Sequence, residues 1–309
     1  MSLTRTKSKQ KVKQTRTPIT WKEIKRQKVL LFWAGVMMIY GVIFYYLPLA
    51  GWAMAFQNYK PQLGILHSEF VGLQKFRMLF SDVTFLRVIR NTLAMGVINL
   101  VATFVTAIVF AILLNEIKSR GGKKTVQTIS YLPHFLSWVV AASIFMLILS
   151  AGTDATGQDT ANMGFINALL CKVGILDKPI DFLTESKCWR SVWYIMNRWK
   201  ETGWGTIIYL AALSGISPDL YEAAEIDGAN RLQQIWNITI PAIMNTILVV
   251  FILNLAKVMN VFESVFVLYN SLVYDVSDVI QTYTYRVGIV GNDYGYSTAI
   301  GLFKSVISL

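Results

Sequence analysis

Long apolar stretches alternate with short polar segments along the 309 residues of this chain. A helix needs about twenty consecutive apolar residues to cross a bilayer, and five stretches reach that length. A sixth stretch begins at residue 297 and stops after 13 residues, which is too few to cross. We therefore predict an all-α polytopic membrane protein with six transmembrane helices, the last of them truncated where the chain ends. The predicted spans are residues 29–56, 91–114, 128–150, 195–216, 241–268 and 297 onward.

Composition agrees with a chain surrounded largely by lipid. Hydrophobic residues make up 54% of the positions and charged residues 15%, whereas a soluble domain has about 25% charged residues. The first stretch, residues 29–56, contains no charge and is longer than the roughly 7–15 apolar residues of a signal peptide. We therefore interpret it as an uncleaved first membrane helix.

The net charge of +11 is concentrated at the N-terminus. Ten of the 29 Lys and Arg residues lie within residues 1–28, together with a single acid, Glu23. This pattern is typical of a solvated basic tail beside anionic lipid headgroups. It argues against nucleic-acid binding, because no folded basic face lies behind the tail.

Basic flanks also predict the orientation, since Lys and Arg accumulate on the cytoplasmic side of membrane helices. The N-terminal tail is therefore predicted to be cytoplasmic, and the loop "NEIKSRGGKKT", two crossings later, has the same basic character. Two further crossings place residues 217–240 in the cytoplasm. Both ends of the chain are then inside, and residues 57–90, 151–194 and 269–296 are outside.

Cysteine and histidine offer little chemistry. Cys171 and Cys188 both fall in the external segment 151–194. On the oxidising side of the membrane they could form a disulfide, and two unpaired thiols fit the sequence at least as well. His67 and His134 have no partner cluster, so the sequence predicts no metal site.

The segment at 217–240 has the pattern of an amphipathic helix followed by a turn. Ser217 and Pro218 form a favourable helix start, because Ser accepts a hydrogen bond from an unpaired backbone amide and Pro suits the first turn. The sequence "DGAN" predicts a turn that ends the helix at Gly228. Small and apolar side chains share one face of this helix, by their spacing: Leu220, Ala223 and Ala224.

The charge of this segment favours a protein partner. It contains four acids and one base, whereas a cytoplasmic flank is expected to be basic. Helices that lie on lipid usually carry Lys and Arg on their polar face, and anionic headgroups would repel an acidic one. The charged residues are Asp219, Glu222, Glu225, Asp227 and Arg231.

The same residues carry a specific motif. EAA at 222–224 is followed after three residues by Gly228, and after nine more by ITIP at 238–241. This resembles the EAA loop of permease subunits in ATP-binding-cassette importers, EAA-x3-G-x9-I-x-L-P, with Ile240 in place of the usual Leu. The stretches "FYYLPLAGWAMAFQNYKP", "FVGLQKF" and "GLFKSV" resemble the carbohydrate-uptake branch, which imports oligosaccharides and polysaccharide fragments. The resemblance covers residues 29–309.

The resemblance implies that residues 1–28 are a tail and that residues 29–309 are a permease transmembrane domain with a coupling loop at 217–241. The helix at 218–227, between the fourth and fifth membrane helices, would dock in a cleft on a cytoplasmic ATPase subunit. Glu222 would anchor it there, the two alanines would permit close contact, and the glycine would make the bend. The positions expected to couple to the ATPase are Glu222, Ala223, Ala224, Asp227, Gly228, Ile238 and Pro241.

It further implies a subunit of an ATP-driven, binding-protein-dependent importer in the cytoplasmic (inner) membrane, working by alternating access. The expected partners are two ATP-binding subunits, a second similar permease, an extracytoplasmic solute-binding protein and a carbohydrate substrate. ATP and Mg would bind to the partner subunits, with no cofactor on this chain. "GGKKT" at 121–125 does not match the phosphate loop GxxxxGK[ST], because Lys124 stands where Ser or Thr is needed and Ile117 replaces the first glycine. The chain is therefore not expected to be an enzyme.

Polar residues within a membrane helix are costly and usually face a cavity or another chain. Four of them follow one another at intervals of three in the fifth predicted span: Asn254, Lys257, Asn260 and Glu263. One interpretation is the wall of a sugar pathway, where Lys257 would attract an acidic polymer such as alginate. The other is that Lys257 and Glu263 pair with neighbouring helices of this or a partner subunit. Asn91 and Asn99 are weaker candidates, since single Asn residues often bond neighbouring helices. Aromatic side chains could stack on sugar rings but more often form interface belts or packing: Trp33, Trp52, Trp204, Tyr45 and Tyr46.

Three other function classes are alternatives to the importer. A secondary transporter driven by an ion gradient usually shows inverted repeats with broken helices, and no such repeat is visible. An intramembrane enzyme needs a nucleophile with a base, or a metal motif such as HExxH, and two isolated histidines provide neither. A receptor or scaffold would bind an ATPase without transporting anything. The sequence favours the importer.

Overall fold

In a computed structural model, which describes residues 25–152 and 163–308, the chain is predominantly helical. The helices are α1 (Lys28–Gly41), α2 (Gly64–His67), α3 (Gln74–Ser81), α4 (Val83–Glu116), α5 (Arg120–Tyr131), α6 (Trp138–Leu149), α7 (Phe165–Lys172), α8 (Ser186–Leu213), α9 (Pro218–Ile226), α10 (Arg231–Gln234), α11 (Ile240–Leu255), α12 (Glu263–Phe266), α13 (Tyr274–Ser277), α14 (Ile280–Tyr285) and α15 (Tyr294–Ser308). Two short strands, β1 (Gln57–Asn58) and β2 (Glu69–Phe70), pair antiparallel. The 3-10 helices are Leu47–Phe56, Leu132–Phe135 and Ser271–Val273, and the π-helices are Val42–Tyr46, Ile235–Thr239 and Arg286–Val290.

The chain divides into two compact units after Trp52. Helix α1 continues through the π-helix into the 3-10 helix Leu47–Phe56, within which the first unit ends. None of the side chains of α1 is buried. The predicted basic tail, residues 1–28, lies almost wholly outside the described residues.

Among the described residues, three helical stretches are long and apolar enough to cross a membrane: Lys28–Phe56, Val83–Glu116 and Arg231–Leu255. A bent pair, Arg120–Phe135 with Trp138–Leu149, makes a fourth if it is taken as one span. The predicted spans at 29–56 and 91–114 match the first two. The total of six spans stays a prediction.

The predicted span at 128–150 covers the end of α5 and all of α6, which meet at an angle of 102° and do not form one continuous helix. Local chemistry explains the break. Pro133 cannot donate a backbone hydrogen bond, and the chain passes there into the 3-10 helix Leu132–Phe135. Ser137 then caps α6, with its hydroxyl accepting a bond from the Val140 amide at 3.2 Å.

The predicted span at 241–268 is correct only in its first part, because α11 ends at Leu255. Beyond it the backbone tightens: the amide of Lys257 bonds to the Asn254 carbonyl three residues back at 3.0 Å. The residues that follow approach Gly96 on α4, where an added Cβ would lie only 2.4 Å from the Val258 carbonyl oxygen. The helix therefore gives way to a segment that packs backbone to backbone against α4.

The predicted span at 195–216 corresponds to α8, which begins earlier, at Ser186, and ends at Leu213. This helix is not among the apolar spans, because it contains Arg190, Arg198 and Lys200. Each of these charged side chains bonds to an atom on another element, as described below. Buried side chains along its length and these polar partners hold α8 in place despite its charge.

The core of the second unit has α4 and α8 at its centre, since these two helices pack most extensively against each other. One apolar cluster joins them to α11, through Ala107, Tyr209 and Ile243. Another surrounds the fully buried Trp189 and Trp193 of α8. Close packing also joins α8 to α5, where a Cβ added at Gly203 would lie 2.1 Å from the Ser130 carbonyl oxygen.

Candidate functional site

Helix α9 forms where the sequence predicts it. The Ser217 hydroxyl accepts a bond from the Asp219 amide at 3.4 Å, and Pro218 occupies the first helical position. The helix ends at Ile226, one residue before the predicted end. Gly228 then has a φ of +78°, a backbone conformation that disfavours residues with a Cβ. The predicted start, helix and turn are therefore confirmed.

No residue of α9 is buried. Leu220 is 51% exposed and Ile226 is 87% exposed, and both Glu222 and Ala223 are exposed as well. Nothing in the described part of the chain covers this surface. An amphipathic helix with an uncovered apolar and acidic face has the form of a docking element.

The loop around α9 is held by specific contacts. The Tyr221 hydroxyl lies 3.0 Å from the Thr239 hydroxyl. Arg231 lies 3.8 Å from the Glu225 carboxylate and 4.0 Å from that of Glu116, at the end of α4. These bonds tie the exposed helix both to α4 and to the start of the stretch that leads into α11.

The sequence indicates a second amphipathic run after this turn, with Leu232, Ile235 and Trp236 on one side, but the residues that cap its first helix were not identified. Asn230 and Gln233 cap α10 reciprocally, each side chain accepting from the other residue's backbone amide, at 2.9 and 2.8 Å. The signal was readable, because an amide side chain three residues after an Asn is a capping-box pattern. Ile238 lies in the π-helix that follows, and Pro241 lies in the first turn of α11. All seven predicted coupling residues thus lie in one continuous loop, and their role stays a prediction.

A cavity of about 670 Å³ lies between α4, α8 and the segment that follows α11. All four polar residues singled out in the predicted fifth span line it: Asn254, Lys257, Asn260 and Glu263. Asn99 of α4 and Trp204 of α8, two of the weaker candidates, line it too. The structure therefore brings the pathway candidates together around one space.

The local geometry of these residues was predicted wrongly. They do not lie on one continuous membrane helix, as the predicted span at 241–268 implies, because only Asn254 belongs to α11. Lys257 and Asn260 lie in the turns beyond it, and Glu263 begins α12. The end of α11 at Leu255 is what directs these side chains to the cavity from a non-helical segment.

Within the described residues, neither Lys257 nor Glu263 forms an ion pair, and both are exposed. Pairing of Lys257 or Glu263 with a neighbouring helix of this chain is thus not observed, and pairing with a partner subunit stays a prediction. Both charged groups remain available to a molecule in the cavity.

A charged cluster on the wall of the cavity was missed. Lys200, which is buried, donates to the His134 carbonyl at 2.7 Å and lies 3.8 Å from the Glu201 carboxylate. His134 Nδ1 lies 3.1 Å from the other oxygen of Glu201, and its ring stacks on Trp204 with centroids 4.5 Å apart. Two adjacent charges in a membrane-associated helix were the available signal.

The two asparagines of α4 bond to arginines of α8. Asn91 accepts from Arg190 at 2.8 Å, and Asn99 accepts from Arg198 at 2.6 Å. The alternative that such residues bond neighbouring helices is confirmed for both. Asn99 also lines the cavity, so it both joins α4 to α8 and faces the cavity.

The cysteines are unpaired. Cys171 on α7 and Cys188 on α8 are both free and partly exposed, in agreement with the unpaired alternative. Among the described residues, no group of three or more His, Cys, Asp and Glu side chains is arranged to hold a metal ion.

Known proteins resemble this chain over nearly its whole length. The polygalacturonan/rhamnogalacturonan transport system permease protein YteP of Bacillus subtilis (strain 168) is 40% identical over 285 residues, which is 92% of this chain and 85% of that protein. Protein LplB of the same strain is 39% identical over 293 residues, 94% of this chain and 88% of that protein.

A solved structure has the same fold. It is the crystal structure of a bacterial ABC transporter involved in the import of the acidic polysaccharide alginate, with a TM-score of 0.83, 37% identity and 93% coverage of both chains. The sequence profile described as binding-protein-dependent transport system inner membrane component matches residues 104–309. The chain therefore belongs to the family of binding-protein-dependent transport system inner membrane components.

Proposed function

We propose that this chain is the permease subunit of an ATP-driven, binding-protein-dependent importer that moves oligosaccharide or polysaccharide across the cytoplasmic membrane. The observation that carries the proposal is the similarity over more than nine-tenths of the chain to transport permeases whose names or structures specify polysaccharides. A related solved complex contains a periplasmic protein bound to an alginate pentasaccharide. An extracytoplasmic binding protein therefore delivers the sugar to this chain. The similarity favours this function over a secondary transporter driven by an ion gradient.

In this proposal α9 is the coupling helix and docks on a cytoplasmic ATP-binding subunit. The absence of buried residues on it and its acidic face support that assignment. Glu222 anchors the helix, Ala223 and Ala224 give it a slim face, and Gly228 makes the turn behind it. Two ATP-binding subunits bind ATP and Mg, and a second, similar permease completes the complex. This chain makes and breaks no covalent bond and needs no cofactor of its own.

The proposed topology has six spans with the N-terminus in the cytoplasm. Residues 1–28 form the basic tail, and residues 29–309 form the transmembrane domain with its coupling loop at 217–241. Basic residues in the N-terminal tail and in the loop after α4 support this orientation. The bent pair of α5 and α6 counts as one span in this arrangement.

The cavity of about 670 Å³ is the substrate pathway in this proposal. Its volume falls within the roughly 300–1,000 Å³ of ligand pockets. Asn254 and Asn260 offer amide groups to sugar hydroxyls, and Trp204, 44% exposed, offers an aromatic face to a sugar ring. Closure of the ATP-binding subunits draws the coupling helices together and switches the cavity between inward-open and outward-open states.

The proposal is tested by ATPase activity of the reconstituted complex, stimulated by binding protein and sugar. We expect Glu222→Ala and Gly228→Asp to abolish stimulation. Asp219→Ala is the matched control, because it removes an acid from the same helix outside the motif, and Asp219 forms no ion pair among the described residues. A Cβ at position 228 meets nothing within 4 Å in this chain, so lost stimulation would arise from backbone strain at the turn or from the docked partner.

The opposite outcome is equally informative. If Glu222→Ala and Gly228→Asp, present at normal levels in the membrane, keep full stimulation, α9 is not the coupling element. If uptake also continues without ATP and collapses with the ion gradient, the chain is a secondary transporter.

A further inference from the structure

A second cavity, of about 440 Å³, adjoins the first. Phe262 and Gln281 line both spaces, so the two cavities share a boundary. The second cavity is otherwise bordered by residues 284–289 and by one face of α15. A molecule longer than the first cavity would pass this boundary into the second.

Each cavity contains one lysine whose ammonium group has no carboxylate partner. Lys257 lines the first cavity and Lys304, on α15, lines the second. Among the described residues, neither forms an ion pair. The lining of the second cavity contains no acidic residue. Lys304 is half-buried on the helix of the last predicted span, where an unpaired charge is costly and indicates a functional partner, here an anion.

The remaining lining of the second cavity suits a sugar. The hydroxyls of Thr284, Ser297 and Ser305 each donate to a backbone carbonyl of their own helix or of its neighbouring turn, at 2.6, 3.1 and 2.9 Å. Their oxygen atoms are thereby left as acceptors for the hydroxyl groups of a ligand. At the shared boundary, Gln281 Oε1 is buried and accepts no hydrogen bond, and an unpaired buried acceptor calls for a donor.

We propose that the second cavity is an anion-selective extension of the transport pathway, in which Lys304 binds the carboxylate of a uronate sugar. Thr284, Ser297 and Ser305 accept hydrogen bonds from the hydroxyl groups of the sugar. An acidic oligosaccharide is then held by Lys257 in one cavity and by Lys304 in the next. This inference rests on the proposed function, because it takes the first cavity to be the sugar pathway.

The electrostatic part is tested without any sugar. In the assembled complex, with Cys171 and Cys188 replaced by Ser, Thr284→Cys places a thiol in the second cavity. We expect it to react faster with an anionic methanethiosulfonate than with a cationic one. In bulk water, one unit charge about 8 Å from the thiol changes the ratio of the anionic to the cationic reaction rate by at least about fivefold at low ionic strength. Lys304→Gln should therefore lower this rate ratio by at least about fivefold.

Two further variants keep this test decisive. Lys304→Arg retains the charge and should retain the ratio. If Lys304→Gln fails to assemble, Ile289→Glu adds a carboxylate to the same cavity, leaves Lys304 in place and should lower the ratio too. A ratio unaffected by either change overturns the anion-selective role. If the thiol at 284 is accessible in the isolated chain and becomes inaccessible when the second permease assembles, this surface is a subunit interface.

The sugar part is tested by protection with labelled oligogalacturonate delivered by the binding protein. The matched control is Thr103→Cys in the first cavity. We expect the sugar to slow reaction at both thiols. Protection at 103 with none at 284 refutes the extension and leaves the proposed function intact. Protection at neither position, in a complex that still transports, removes the first cavity from the pathway as well.

Discussion

The close approach of Gly96 to the segment after α11 makes a quantitative prediction. A Cβ at this position would lie 2.4 Å from the Val258 carbonyl oxygen and 2.7 Å from its Cγ1. Ordinary contacts begin near 3.4 Å, so Gly96→Ala must separate α4 from Val258 by about 1 Å. The oxygen belongs to the backbone, and no rotamer change relieves the contact. Overpacking of this kind costs about 1–3 kcal/mol.

The net effect follows from two opposing contributions. Alanine is favoured over glycine within a helix by about 1 kcal/mol, which offsets part of the cost. We expect a net destabilisation of up to about 2 kcal/mol. At roughly 2–4 °C per kcal/mol, the Tm of the purified chain in detergent should fall by up to about 8 °C. The displaced segment includes Lys257 on the cavity wall, so sugar-stimulated ATPase activity should also fall.

The matched control is Gly35→Ala, in the interior of α1. A Cβ there meets nothing within 4 Å, so the Tm should stay the same or rise slightly. An unchanged Tm and unchanged stimulation in Gly96→Ala would show that Val258 does not lie against α4, and the account of the cavity wall would then be wrong.

Two further predictions concern the polar contacts around α14. Asp82 accepts hydrogen bonds from the hydroxyls of Tyr283 at 2.6 Å and Tyr296 at 2.9 Å. Burial acts to raise the pKa of Asp82, but these bonds and those from backbone amides hold this pKa below the usual 3.8. A lowered pKa means that the stabilisation is present above about pH 4 and lost as the pH falls through the lowered value, so Asp82→Asn should reduce the acid sensitivity of Tm below pH 4. Asp278 is buried and paired with Arg286; Asp278→Ala should cost about 3–5 kcal/mol in chemical unfolding, because it leaves a charge unpaired. The double variant with Arg286→Ala should cost less than the sum of the single changes, and strict additivity would refute the pairing.

Elements determined by local chemistry could be predicted from the sequence. Ser217, Pro218 and Gly228 specify the start of α9 and the turn after it, and all three act as expected. The break between α5 and α6 was equally readable, because Pro133 and Ser137 are local signals. It was missed because a continuous apolar run was taken to mean a continuous helix.

Features set by tertiary contacts could not be predicted. No Pro or Gly lies between residues 256 and 268, so the end of α11 has no local signal and depends on the approach of Val258 to Gly96. The length of α8 also depends on tertiary contacts. Its charged residues are tolerated only because Asn91, Asn99 and the His134 carbonyl lie opposite them. The cavity follows from both features, which is why some of its lining residues were predicted and its geometry was not.

The contacts of the loop around α9 explain how the proposed docking surface reaches the cavity. Tyr221 bonds to Thr239, just before α11, and Arg231 contacts Glu116 at the end of α4. At 1.5 Å per residue, about 22 Å of nearly continuous helix then separates Thr239 from Asn254 on the cavity wall. Coupling between distant sites needs rigid elements with discrete arrangements, and two helices anchored beside one exposed loop meet that requirement. In the proposed importer, a displacement of α9 would act on both walls of the cavity at once, as alternating access driven by separate ATP-binding subunits requires.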